Sequence, residues 1–416
     1  MADETLNSLA NTDLEGKSTQ AHIQRSWLLL GGVMLTALVL RAPITAVGSI
    51  VSEIQQALGL SGAMTGLLTT LPLLAFAAIS PLAPIWSNRI GIENTLFFAM
   101  LVLAGAIALR SLATIPALYA GTALLGMGIA VGNVLLPSII KRDYNQKAGL
   151  MTGLYTVVMN LGGAIASGFS IPLTEQAGIK WNVVLGGTAV FALLAAVVWM
   201  LQLRGKQQLA FVSGLNQAKP RPIWSSKVAW FVTFFLGLQS FCFYINITWI
   251  PEMLIDRGLS HAEAGWMLSL LQIVGMPSTF IIPILAGRRA SQRGYALITA
   301  ILFAIGYLGL LSGDTSLIVL WIIVTGIAAG AGFGLAVMFF VLRTATAHQC
   351  AQISGMAQSI GYLLAAFGPF LFGLLHDVTS SWNMSLIMLL AVVVLYAFAG
   401  WGAGADRKIG EQAMES

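Results

Sequence analysis

Twelve long apolar stretches, separated by short polar connections, set the limits on what this chain can fold into. They cover residues 27–51, 62–85, 94–110, 116–140, 149–172, 182–203, 227–250, 263–287, 295–312, 316–342, 351–375 and 383–402. A helix needs roughly 17–25 residues to cross a hydrocarbon layer. Inside that layer every backbone N–H and C=O must be satisfied by the chain itself, which favours helices. Composition points the same way. The chain is 57% hydrophobic and 9% charged, with a mean hydropathy of +0.84, against roughly 25% charged in soluble domains. The expected fold class is an all-α membrane protein with twelve transmembrane helices.

Lysine and arginine set the expected orientation. With both termini cytoplasmic, 17 of the 21 basic residues fall on the cytoplasmic side, among them Arg89, Lys141, Arg142, Arg288, Arg289 and Arg343. Arg110, Lys180 and Arg257 fall outside, and Arg41 lies within a span. The pI near 9.3 therefore reflects membrane topology and does not indicate nucleic-acid binding.

The chain also repeats itself. Gly59-Leu-Ser-x-Ala63-x-x-Gly66 returns as Gly258-Leu-Ser-x-Ala262-x-x-Gly265, at an offset of 199 residues. Gly128, Gly132, Lys141 and Gly153 return as Gly330, Gly334, Arg343 and Gly355, at an offset of 202. Two collinear matches indicate duplication. The expected organisation is a disordered cytoplasmic tail (1–25), a six-helix bundle (26–203), a polar cytoplasmic linker (204–226), a second six-helix bundle (227–403) and a cytoplasmic tail (404–416). Pseudo-symmetric bundles of this kind are a transporter signature, with the site at their interface.

Several chemistries are disfavoured. Gly126, Gly128 and Gly132 lie in an apolar helix with no following Lys-Ser/Thr, so helix packing is preferred to a phosphate loop. Cys242 and Cys350 form no disulfide framework. His22, His261, His348 and His376 lack metal-ligand company. No cofactor or metal is expected, and an enzyme or sensor is a distant alternative. Prolines 43, 72, 81, 137, 172, 277, 283 and 369 interrupt spans, where they are tolerated or bend the helix.

Arg41 is the polar residue that stands out. It is the one charge in the first span, near its middle, where a charge costs at least about 2.5–3.5 kcal/mol. No acid lies equally deep. Glu53 is twelve residues away, about 18 Å along a helix, and its 199-offset mate is Glu252. These two are either solvated helix-end carboxylates or proton-coupling groups at the outer mouth. Other polar or aromatic candidates for a substrate site are Tyr155 and Asn160 in span five, Gln239, Phe243, Tyr244 and Asn246 in span seven, Gln272 in span eight, and Gln358 and Tyr362 in span eleven. Each of these could instead serve in helix packing. The 202 offset pairs Asn160 with Tyr362, and the 199 offset pairs Arg41 with Ser240.

Longer strings carry a family resemblance. Leu40-Arg-Ala-Pro43, the segment Gly66 to Pro81, Gly132-Asn-Val-Leu-Leu-Pro-Ser-Ile-Ile-Lys-Arg-Asp143 and the segment Gly355 to Pro369 resemble the major facilitator superfamily. Within it they are most similar to the 2-nitroimidazole-transporter type of the cyanate-porter branch. The resemblance implies a single-chain secondary carrier of the bacterial inner membrane that moves small planar or anionic solutes, with Arg41 matching the family's span-one arginine. Between spans two and three the superfamily pattern Gly-x-x-x-Asp-Arg-x-Gly-Arg is degenerate. Pro84, Asn88 and Ile92 replace its first glycine, aspartate and final arginine, while Arg89 remains as a gating candidate.

The expected function is alternating-access transport, proton-coupled and monomeric, with Arg41 holding a flat oxygen-bearing group. An exporter of neutral or weakly acidic aromatic compounds is the alternative.

Overall fold

The computed structural model describes residues 27–203, 223–314 and 316–409. The expected N-terminal tail and most of the linker lie outside those residues. Eleven described helices are long and apolar enough to cross a membrane, and a bent pair supplies a twelfth. The first half contains α1 (Trp27–Ser49), α2 (Val51–Leu58), α3 (Gly62–Ile79), α4 (Ala83–Ile90), α5 (Ile92–Arg110), α6 (Ile115–Asp143), α7 (Ala148–Ile171), α8 (Trp181–Gly187) and α9 (Ala189–Gln202). The second contains α10 (Lys227–Asp256), α11 (His261–Ala286), α12 (Arg293–Leu311), α13 (Ile318–Leu342), α14 (Ala347–Thr379) and α15 (Trp382–Ala403).

Local chemistry explains the repeated Gly-Leu-Ser. Gly59 and Gly258 take φ of +65° and +95°, a region open to glycine at little cost. Ser61 and Ser260 then cap α3 and α11, accepting from Met64 N at 3.3 Å and Glu263 N at 3.2 Å. Ser260 and Glu263 complete a capping box. The duplicated motif is a reversal that ends one helix and starts the next in each half.

Span two is two helices. α3 and α4 meet at 53° around Pro81, where the missing N–H interrupts the ladder. Pro72, Pro137, Pro277, Pro283 and Pro369 lie inside continuous helices. Residues expected to begin a tail are packed: Ala405 and Ile409 are buried, and Ile409 N donates to Arg343 O at 2.9 Å. The Arg343 guanidinium donates to Ala403 O at 2.8 Å. Burial pushes its pKa down to about 10, with Asp406 opposing. Arg110 closes α5, at the end of its span. It is 1% exposed and donates to Pro43 O at 2.9 Å. The carbonyl it holds is two residues along α1 from Arg41.

The halves meet closely at the end rich in basic residues. Lys141 Nζ donates to Val341 O at 3.1 Å, and Ser359 Oγ to Ala77 O at 2.6 Å. Two glycines at the 202 offset seal this end. A Cβ on Gly153 would lie 2.6 Å from Phe280 O, and one on Gly355 would lie 2.6 Å from Ser80 O. At the opposite ends of α3, α7 and α11, Gly66, Gly168 and Gly265 face open space. Among the described residues, the hydrogen bonds, ring contacts and glycine approaches that join the halves lie at the basic end or at mid-depth. The structure is thus shut at the basic end.

The seal gives a direct prediction. Overpacking costs about 1–3 kcal/mol, and about 1.4 kcal/mol shifts a two-state ratio tenfold. Gly153→Val and Gly355→Val should each open the basic end. Cys350 is buried there, close to Ser138 of the first half, so its labelling by N-ethylmaleimide should rise roughly tenfold. Cys242, buried near Tyr307 within the second half, should stay unlabelled. Unchanged Cys350 labelling in both variants contradicts the seal.

Candidate substrate-binding site

α1 and α7 run side by side, and their seam presents Arg41. Gly162 lets the backbones close up, since a Cβ there would collide with Leu38 O. Three polar links follow at helical spacing. Arg41 Nη1 donates to Asn160 Oδ1, Thr45 Oγ1 donates to Gly163 O at 2.9 Å, and Ser49 bonds Ser167 through their hydroxyls. The guanidinium is therefore fixed by its own half and aimed at the other.

Its remaining surroundings are aromatic. The guanidinium carbon lies 5.1 Å from the Phe243 ring centroid and 5.9 Å from that of Phe333, within cation–π range. Tyr244 and Tyr362 are within electrostatic reach, and Phe76 packs against Tyr362 at 5.2 Å. Among the described residues, the ion pairs join Arg142 to Glu93 and Asp143, and His376 to Asp377. None reaches Arg41. An amide and π faces offer a cation partial compensation, whereas a desolvated charge is strongly stabilised only by a counter-charge.

A small cavity of about 20 Å³ lies beside this cluster, lined from both halves by Asn133, Tyr155, Met159, Phe333, Gln358 and Tyr362, among others. The structure thus gathers Arg41, Asn160, Phe243, Tyr244 and Tyr362, with Tyr155 and Gln358 adjoining. Other sequence candidates stand apart. Gln239 Nε2 donates to Ala329 O at 3.1 Å and its Oε1 accepts from Ser240 at 3.4 Å, a helix-packing bond inside the second half. Asn246 accepts from Tyr307 at 3.1 Å, facing α12. Gln272 is exposed on α11. Glu53 accepts from Thr174 at 2.6 Å, and Glu252 and Arg89 are exposed. At the basic end the charge network rests on Arg142 with Glu93, at 2.6 Å.

Asn133 and Phe333 are among the lining residues that come from the structure. Asn133 carries a usable sequence signal, as a polar residue inside an apolar span. Phe333 carries none, because it is one of many apolar residues in α13.

Asn160→Asp is an informative substitution. It places a carboxylate against Arg41 and fills the position of the missing counter-charge. Because a buried charge left alone is costly, the variant should melt higher than wild type. Because the anion site is then occupied, transport of anionic solutes should fall at least about tenfold. Thermal unfolding and flux measured on one preparation check both effects, and unchanged flux contradicts the account.

The comparisons with known proteins agree with the fold. The family model described as Major Facilitator Superfamily matches residues 33–369. The 2-nitroimidazole transporter of Escherichia coli (strain K12) is 41% identical over 382 residues, covering 92% of this chain and 96% of that one. The cyanate transport protein CynX of the same organism is 25% identical, covering 85% and 91%. A solved structure of the proton:xylose symporter XylE superposes with a TM-score of 0.72 at 14% identity, covering 92% and 97%, which shows the shared fold. With a family match over most of its length and a full-length relative at 41% identity, this chain belongs to the Major Facilitator Superfamily, close to the 2-nitroimidazole and cyanate transporter type.

Proposed function

We propose that this secondary transporter carries a small planar solute bearing a carboxylate, nitro or similar flat oxygen group, and that Arg41 anchors that group. The observation that carries the reading is the guanidinium at the seam between the halves. An amide and aromatic rings hold it, and among the described residues no carboxylate pairs with it. Arginine's planar fork matches two-oxygen groups, and a lysine does not reproduce it. Phe243, Phe333, Tyr244 and Tyr362 give a flat body faces to lie against. The names of the relatives, for 2-nitroimidazole and cyanate, fit a solute of this size and shape.

In this reading the basic end is cytoplasmic, as the lysine and arginine bias supports. Both termini are then cytoplasmic, and the closed end is the inner one. The protein works as a monomer in the inner membrane of a bacterium. Release inward requires the Gly153 and Gly355 seals to part while the other end closes, a rocking of one half on the other. Proton coupling is assigned to the outer carboxylates. Glu252 is exposed to receive a proton, and Glu53 is held by Thr174.

The alternative is export of neutral or weakly acidic aromatic compounds. The aromatic walls around Arg41 favour it, and a deletion strain made drug-sensitive would select it.

Flux into proteoliposomes containing only this protein tests the anchor. Using radiolabelled benzoate and 2-nitroimidazole, Arg41→Ala should lower uptake at least about a hundredfold, the loss of a charge-assisted bidentate contact worth roughly 3 kcal/mol. Arg41→Lys should recover only part of it. Wild-type uptake by folded Arg41→Ala contradicts the anchor, and uptake indifferent to a protonophore contradicts the coupling.

A further inference from the structure

The cavity beside Arg41 holds a second polar feature with the opposite sense. Gln358 on α14 is 3% exposed. Its Nε2 donates to Ser354 Oγ at 2.9 Å, and its Oε1 has no partner among the described residues. A buried carbonyl oxygen without a donor is unfavourable. This oxygen belongs to a side chain lining the cavity of about 20 Å³, which is room for one water or one hydroxyl. The walls are shared with the Arg41 cluster, because Phe333 and Tyr362 line both.

Depth separates the two polar ends. Tyr362 stands at the Arg41 level, and Gln358 lies four residues earlier on α14, about 6 Å of helical rise towards the shut end. The site therefore offers hydrogen-bond donors and positive charge at one end, aromatic walls between, and at the other the unpartnered Gln358 Oε1, with Asn133 and Tyr155 lining the same cavity.

Resting on the reading of Arg41 as the anchor, we infer that the preferred substrate is a ring with an anionic or nitro group at one end and a hydrogen-bond donor, hydroxyl or N–H, at the opposite end. Gln358 Oε1 receives that donor. Before substrate arrives, a single water completes the amide, and the donor group replaces it. A site that hydrogen-bonds a substrate hydroxyl rejects analogues lacking it far more strongly than an apolar pocket rejects a missing methylene. Gln358 would thus set specificity, while Arg41 sets affinity for the charged end.

Calorimetric titration of the full-length purified protein with benzoate, 4-hydroxybenzoate and 4-methoxybenzoate tests this. Wild type should bind 4-hydroxybenzoate at least about tenfold tighter than the other two. Gln358→Met, close in shape but without the acceptor, should bring the three within about twofold, and Arg41→Ala should remove binding of all three. The wild-type comparison holds whether or not either variant folds. Equal wild-type affinities, with binding still lost in Arg41→Ala, overturn the inference and leave the anchor standing. Tightest binding of 4-methoxybenzoate also overturns it, since the amide would then turn its NH2 to the cavity. No measurable binding of 4-hydroxybenzoate overturns it as well. Undiminished binding in folded Arg41→Ala overturns the anchor instead, and a hydroxyl preference lost only in Gln358→Met would then stand alone.

Discussion

A half-buried guanidinium at the seam of two helix bundles, with no carboxylate beside it among the described residues, is the constraint on which the rest depends. Its desolvation is offset in part by the Asn160 amide and by the faces of Phe243 and Phe333. These partners hold the group in one place without neutralising it. A carboxylate in the same position would quiet the charge and also remove its use. The arrangement suits a protein in which the counter-charge arrives, crosses and leaves.

The first half supplies the charge and its scaffold, and the second half supplies the walls. α1 and α7 are joined by polar links at three successive turns. The pseudo-equivalent seam of α10 and α14 is joined by close glycine packing, with Gly237 against Gly361. Arg110 adds a further tie on α1 by holding Pro43 O. The duplicated fold has kept its helix starts, with Ser61 and Ser260 as caps, and its basic-end seals, with Gly153 and Gly355. The two halves differ at mid-depth, where the solute would lie.

Much of this was legible in the sequence, for identifiable reasons. Span positions follow from hydrocarbon thickness, and the duplication follows from reversals that only glycine and a capping serine make well. Arg41 stood out because a charge in the middle of an apolar run is costly and is usually kept for function. The limit came on α10. Helical rotation of about 100° per residue places Gln239, Phe243 and Asn246 within one arc of roughly 60°. Phe243 nonetheless meets Arg41, while Gln239 meets Ala329 and Asn246 meets Tyr307. What separates them is the neighbour at each depth, which periodicity does not encode. Phe333 and the burial of Arg110 were hidden for the same reason: tertiary neighbours decide them.

The central claim is that the solute supplies the counter-charge of Arg41. The most direct measurement is anomalous diffraction from crystals of the protein grown with 3-bromo-4-hydroxybenzoate. The account predicts a bromine peak between Phe333 and Gln358, with the carboxylate density against the Arg41 guanidinium. A ligand bound with its carboxylate away from Arg41, and the guanidinium still held only by Asn160 and the rings, would contradict it.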